Sequence, residues 1–200
     1  RLSSIDCAEI DDNFWDLLSE KRFMPHFHLS LQAGNNIILK RMKRRHTREM
    51  AIDFCKKVLS IRSDATFGAD IIAGFPTETD EMFQESIKLI DECNLTHLHV
   101  FPYSPRKNTA ASRMPQIEKR IIKERARELR IVGLKNLKKH LSTKIGQKNL
   151  ILVESNCNKK SIGKDQHFLK VELNEKIMEG SIISCIYTGI QNDTLLAKKT

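Results

Sequence analysis

Over its first hundred residues the chain alternates between short β-rich runs and stretches of helical periodicity, and this alternation leaves few folds open. The β-rich runs are Arg1–Ile5, His26–Leu31, Thr66–Gly74 and His97–Tyr103. Phe14, Trp15, Leu17 and Leu18 mark a helix over 11–19, and Ile38, Met42, Met50, Phe54 and Val58 mark a second over 36–61. A third is expected over 82–93, where Phe83, Ile87 and Ile90 recur at i, i+4 and i+7 on one buried face. Thr77 or Thr79 is its expected N-cap, and Asp80 and Glu81 favour its first turn. Strict βα alternation predicts parallel strands joined by right-handed helical crossovers. Sheets of that kind collect their chemistry at the C-terminal ends of the strands. The positions to inspect are therefore Asp6, the segment 32–35, the segment 74–76 and the segment 102–107. Four strands are too few to close a barrel, so the expected architecture is an incomplete TIM-like (βα) barrel with strands missing upstream.

The texture changes in the second half. Residues 108–115 read as loop, and a long basic helix is expected from Gln116 to about Leu141, with Gly133 marking a kink or a close contact. Beyond Gly146 come short β-like runs, Leu150–Val153, His167–Leu173, Ser181–Tyr187 and Thr194–Lys198. Turn signals at 155–158, 163–165, 179–180 and 191–193 separate them. Several short strands in so few residues predict a small antiparallel barrel. The domain boundary is placed at 141–146, giving an α/β unit over 1–141 and an all-β unit over 142–200.

The net charge of +9 favours a polyanionic partner. It is concentrated in two blocks. Residues 40–48 carry Lys40, Arg41, Lys43, Arg44, Arg45 and Arg48 without an acid, and residues 117–145 are rich in Lys and Arg. A surface that faces phosphates needs such clustering. Five scattered cysteines, Cys7, Cys55, Cys93, Cys157 and Cys185, show no disulfide framework and no zinc or iron–sulfur spacing. Free thiols in a reducing cytoplasm are the expectation. No apolar run approaches the ~20 residues that cross a bilayer, so no membrane partner is expected. The chain opens on Arg1 in what already reads as a strand, and a natural start further upstream is expected.

Three segments carry candidate chemistry. In the first, a strand ends in Gln32, Gly34 permits a tight turn, and a basic helix follows at once. Gln32 can both donate and accept toward a ribose or amino-acid group, and the new helix can offer N–H groups to an anion. An ordinary βα loop beside a solvated basic helix accounts for the same residues. In the second segment, Asp70 lies inside an apolar run, where it needs a polar partner, and Gly74-Phe75-Pro76 follows. Gly74 would let a flat ligand approach the backbone, although Gly-Phe-Pro by itself is only a turn. In the third, Phe101 and Tyr103 stand beside Arg106 and Lys107, a pattern able to stack a base and hold its phosphates, or simply to pack a rim. His97 and His99 alternate along the same strand. No dinucleotide fingerprint, Walker loop, nucleophile elbow or His-Glu-x-x-His helix occurs. An aldolase-type barrel would need a lysine at a strand end, for which Lys107 is the one candidate.

In order, the segments 28–34, 38–47, 70–79, Phe83 and 101–110 resemble the methylthiotransferases of the radical-SAM superfamily, and the tail is similar to the TRAM domain that ends those enzymes. The run from His99 to Ala110, followed by Arg113-Met114-Pro115, is most similar to the branch that modifies N6-threonylcarbamoyladenosine beside the tRNA anticodon. The sister branch acts on isopentenyladenosine. The resemblance implies methylthiolation at C2 of adenosine-37, using S-adenosylmethionine and [4Fe–4S] clusters. Cluster cysteines of the family pattern, Cys-x-x-x-Cys-x-x-Cys, are absent from these residues, so neither a metal ligand nor a catalytic residue is assigned. The chain alone is expected to be inactive, with an N-terminal half as a candidate partner, or to be an RNA-binding fragment. Carried over residue by residue, Ser4, Gln32, Arg44, Asp70, Ile72, Gly74, Phe75, Phe101 and Tyr103 are implied to face the cofactor. Lys40, Arg41, Lys43, Arg45, Arg106 and Lys107 are implied to face the tRNA anticodon stem-loop. Ala33-Gly34-Asn35-Asn36 departs from the family's Ser-Gly-Ser-Asp and lacks its hydroxyls.

Overall fold

A computed structural model describes residues 2–200; Arg1, the first residue of the first β-rich run, lies outside them. The described chain forms two compact units, the first reaching Asn136 apart from 24–26 and the second comprising 24–26 and 137–200.

The first unit is a four-stranded sheet in the order β1(Leu2–Ile5)-β2(His26–Gln32)-β3(Thr66–Ala73)-β4(Leu95–Pro102). β1 pairs with β2 in parallel, and so does β3 with β4. Between the strands run α1(Asp12–Leu17), α2(Asn36–Arg41), α3(Arg48–Ile61) and α4(Asp80–Glu92). Side chains alternate faces along a strand. Phe27, Leu29 and Leu31 of β2 and Phe67, Ala69 and Ile71 of β3 are buried with Phe54 and Val58 of α3 and Leu89 and Ile90 of α4. Burying each of the larger of these side chains stabilises by about 1.5–3 kcal/mol. The other face carries His28, Ser30 and Gln32 on β2 and Asp70 and Ile72 on β3, all only partly buried. A sheet with one apolar and one polar, accessible face is what positions the site.

The second helical stretch differs from expectation. It is two helices rather than one over 36–61, because the chain turns at Met42–His46, with Lys43 at φ +58°, and restarts at Thr47, which caps α3 by accepting from the Met50 N–H. Thr79, not Thr77, caps α4. The long helix α5(Lys119–Ser142) starts three residues later than the sequence suggests and runs unbroken through Gly133. A Cβ there would stand 2.9 Å from Leu98 Cβ, so the glycine admits β4 and makes no kink.

The second unit is a closed barrel, β5(Lys148–Cys157)-β6(Lys160–Asp165)-β7(Lys170–Leu173)-β9(Thr194–Lys199)-β8(Ile182–Gln191). Ile151, Val153, Val171, Leu173, Tyr187 and Leu195 fill it, together with Leu141 from the end of α5. The expected all-antiparallel pairing is wrong at one seam, since β7 and β9 run parallel. Residues 163–165 are strand, not turn. Gly163 is there because a Cβ would lie 2.2 Å from the Leu152 carbonyl oxygen of the paired strand.

Candidate functional site

The ends of β2, β3 and β4 open into one cleft. One part, of about 410 Å³, is lined by Gln32, Asp70, Ile72, Phe101, Tyr103 and Arg106. An adjoining part, of about 380 Å³, shares Gln32, Ile72, Thr109 and Ala111 and adds Arg41, Lys43, Arg44 and Phe75. Volumes of this size suit a small-molecule ligand. The loop after β4 doubles back over the strand tips. The Tyr103 N–H donates to the Ala73 carbonyl at 2.9 Å, and Tyr103, Ala111 and Met114 pack on the buried Phe75, Ile38 and Leu39.

Two features of the lining point to a ligand. Gln32 has φ +65°, a left-handed backbone that costs a non-glycine residue about 1–3 kcal/mol and is characteristic of binding sites. The Tyr103 hydroxyl is buried, and no hydrogen-bond partner is found for it among the described residues. Burial also raises its pKa. Gln32, Tyr103 and Arg106 line the larger part of the cleft and Arg44 the adjoining one, a lining that fits a ligand with both hydroxyl and charged groups.

Of the residues implied to face a cofactor, the cleft brings together Gln32, Arg44, Asp70, Ile72, Phe75, Phe101 and Tyr103. It does not bring in Ser4 or Gly74. Ser4 is exposed on β1 at a break in register, with φ +57°. Gly74, at φ +74°, faces α5, where a Cβ would meet Ile122 at 2.6 Å, so its missing side chain admits the helix and not a flat ligand. Its N–H donates to Glu78 at 3.0 Å. Gly34 likewise admits α4, since a Cβ placed on it would stand 2.4 Å from Ser86 Cα. The N–H groups of Ile37 and Ile38 at the start of α2 are taken by the Asn35 side chain, so the anion role read for that helix start is not free there.

The basic rim is partly engaged. Arg45 pairs with Glu9, and Arg41 donates to Thr77 Oγ1 at 2.5 Å. Lys40 and Lys43 are exposed, as are Arg106 and Lys107 on the loop after β4. Asp6, at the end of β1, pairs with His46 at 3.1 Å. Burial pushes the Asp6 carboxyl up, but the Ala8 N–H, His46 and Arg44 together hold it below its ordinary value.

Spacing along the chain did not reveal two groupings. Cys7, Cys55 and Cys93 lie together in the core of the first unit. Burial pushes the Cys7 thiol up to about 12, and the Cys93 hydrogen bond together with burial pushes Cys55 well above the ordinary thiol value. Cys7 and Cys55 are therefore protonated thiols at neutral pH, poor nucleophiles and poor ligands. The second grouping answers the need of Asp70 for a polar partner. Its Oδ1 is 2.8 Å from His28 Nε2 and 3.2 Å from His99 Nδ1.

A parallel sheet with a polar inner face and a ligand-sized cleft at its strand tips defines a class of (βα) enzyme folds, and comparison narrows it. Residues 4–90 match the family model of the radical SAM superfamily. The fold is similar to that of coproporphyrinogen III oxidase (HemN) from Escherichia coli, described as a radical SAM enzyme, with TM-score 0.50 and 20% identity over 77% of this chain and 34% of that one. In sequence the chain is 50% identical to threonylcarbamoyladenosine tRNA methylthiotransferase MtaB of Rickettsia prowazekii, over 96% of this chain and 45% of that protein. It is 38% identical to MtaB of Aquifex aeolicus, over 78% of this chain and 40% of that protein. With tRNA-2-methylthio-N(6)-dimethylallyladenosine synthase of Bartonella tribocorum it shares 31% identity, over 88% of this chain and 39% of that protein. Residues 4–90 thus carry the radical SAM match, and over 96% of its length the chain is similar to an MtaB-type methylthiotransferase. It spans less than half the length of these relatives.

Proposed function

We propose that this chain forms the cofactor-facing and tRNA-facing part of an enzyme that methylthiolates C2 of N6-threonylcarbamoyladenosine-37 in tRNA. The observation that carries this reading is the single cleft into which Gln32, Tyr103 and Arg44 converge, in a chain with half its residues identical to an MtaB protein. Gln32, with its left-handed backbone, would present its amide to the ligand, and the Tyr103 hydroxyl would gain the partner it lacks. Phe101, half exposed, offers a face for stacking a base, and Ile72 an apolar floor. S-adenosylmethionine bound here, together with [4Fe–4S] clusters, would supply the radical chemistry and the methylthio group; the residues of this chain orient and shield. The four-stranded sheet is read as part of a larger TIM-like barrel, and the closed five-stranded barrel as a TRAM-type RNA-binding module. Lys40 and Lys43, with Arg106 and Lys107, would face the phosphates of the anticodon stem-loop. A cytoplasmic setting follows from that substrate.

The test has two arms. Equilibrium dialysis should show S-adenosylmethionine binding to the chain that Gln32→Ala and Tyr103→Phe each weaken; undiminished binding in both variants removes the cleft from the cofactor site. Mass spectrometry of tRNA from cells lacking the gene should show loss of the methylthio group from threonylcarbamoyladenosine. Its loss from dimethylallyladenosine instead would assign the sister substrate, and no loss from either would leave RNA binding without catalysis.

A further inference from the structure

The inner face of the sheet carries a cluster that the proposed cofactor cleft does not use up. His28 on β2, Asp70 on β3 and His99 on β4 come from three consecutive strands, and the register that sets Asp70 opposite His99 brings them together. One ligand atom from each lies within 4.8 Å of the others. His28 Nε2 and His99 Nδ1 both approach Asp70 Oδ1, at 2.8 Å and 3.2 Å, and the two imidazole centroids are 4.6 Å apart.

These separations are those of a coordination shell. A zinc-class ion held by nitrogen and oxygen at about 2.0–2.1 Å spaces its tetrahedral ligands about 3.3 Å apart. Both measured distances to Asp70 fall within about half an ångström of that edge, so small side-chain rotations would seat an ion. The room around the site is built into the strands. Gly68, two residues before Asp70 on β3, has no Cβ, and one placed there would stand 2.5 Å from His28 Nδ1 and 3.2 Å from His97 Cβ. The His28 ring therefore occupies space that only glycine leaves. Exposure is graded across the cluster: the side chains are 12% exposed at His28, 23% at Asp70 and 58% at His99. Asp70 also lines the cleft. Protein ligands thus close one side and leave the other open, which is the layout of a site that keeps positions for an exogenous ligand. Two imidazoles with one carboxylate select transition metals over magnesium or calcium.

We propose that His28, Asp70 and His99 form a binding site for one divalent transition-metal ion of the zinc, cobalt or iron(II) class, with its remaining coordination positions open to the cleft. All three ligands are nitrogen or oxygen donors.

The experiment is a Co²⁺ titration of the chelator-treated chain, followed by d–d absorption, with bound metal measured by atomic emission after dialysis. One equivalent should saturate the signal. Perturbing groups that merely support metal ligands costs 10–100-fold in affinity, so removing a ligand through Asp70→Asn or His99→Ala should cost at least about 100-fold. The His99 side chain is mostly exposed, and His99→Ala should leave circular dichroism unchanged, which separates metal loss from unfolding. No stoichiometric binding would overturn the proposal, and so would undiminished binding in His99→Ala. A sulfur-to-cobalt charge-transfer band would equally overturn it, by placing the ion on a cysteine.

Discussion

Arg125 joins α5 to the loop after β3, and removing it should be among the costliest single changes in the first unit. Its Nη1 donates to the Glu78 carboxylate at 2.8 Å and to the Glu78 carbonyl at 3.0 Å, and its Nη2 donates to Asp80 at 2.6 Å. Arg125 and Glu78 are both buried, whereas the Asp80 side chain is 88% exposed and adds little. Burial pushes the Glu78 carboxyl above its ordinary value, and Arg125 and the Gly74 N–H offset this only in part. Arg125→Leu would leave that carboxylate buried without its cation, which costs about 3–5 kcal/mol. Adding Glu78→Gln should restore about 2 kcal/mol or more, since the amide can still accept from Gly74 and no charge is left stranded. The sign of the pH dependence follows from the raised pKa. The folded chain holds the Glu78 proton more tightly than the unfolded chain. The contribution of Glu78 to stability is therefore highest below its unfolded value of 4.5 and falls as pH rises from there through the folded value. Arg125→Leu should raise the folded value further and extend that decline toward neutral pH. Urea unfolding across this range, read by the fluorescence of the chain's one tryptophan, Trp15, measures both effects. A cost under about 1 kcal/mol for Arg125→Leu, or an additive double variant, would refute the account.

Gln32→Gly should leave the chain as stable or up to about 1 kcal/mol more stable, because glycine adopts φ +65° without strain, while S-adenosylmethionine binding weakens; a clear fall in melting temperature would contradict this. Tyr187→Phe removes a buried 2.8 Å hydrogen bond to Asp165, worth about 1.5–3 kcal/mol for a charged acceptor. Burial pushes Asp165 up, but His167, Tyr187 and the Leu169 N–H outweigh it and hold the carboxyl below 3.8. Its stabilisation is thus present above that value and lost as pH falls through the folded one, and Tyr187→Phe should move acid unfolding to higher pH; an unmoved midpoint would exclude the role. Reversing Lys40, Lys43 and Lys107 to Glu should weaken tRNA binding and flatten its salt dependence by about 0.7–0.9 units of slope for each phosphate no longer neutralised, and an unchanged slope would take the rim off the RNA surface.

Local signals in the sequence carried the sheet well and the pairings poorly. The four β-rich runs became β1 to β4 within a few residues, because each is a short apolar stretch between turn residues. The break at 42–47 was hidden, since Ile38, Met42, Met50 and Phe54 keep an apolar rhythm across it while the caps that end and restart the helices are single side chains. The parallel β7–β9 seam depends on which strands meet in the closed barrel, which no local pattern encodes. Gly163 read as a turn because glycine is common in turns, but its reason is the close approach of the Leu152 carbonyl. Gln32, Tyr103 and Arg106 could be read as cleft residues from their places just past a strand. The His28–Asp70–His99 grouping could not, because its members are 42 and 29 residues apart and meet only through sheet register.

The segment from Asp70 to Thr79, one of those that carry the family resemblance, divides its labour in a way that bears on how motifs are used. Asp70, Ile72 and Phe75 line the cleft. Gly74, Glu78 and Thr79 do not: Gly74 admits Ile122 and donates to Glu78, Glu78 receives Arg125, and Thr79 caps α4. Likeness at those three positions is therefore evidence for a loop of this shape held against a long helix, and only indirectly for a ligand. Substitutions there should act through stability, with cofactor affinity following the fold. Substitutions at Gln32, Tyr103 or Asp70 should change binding while the chain stays folded. Measuring stability and binding on the same variants separates the residues that build the cleft from those that use it, and a Glu78 variant that loses binding at full stability would break the division.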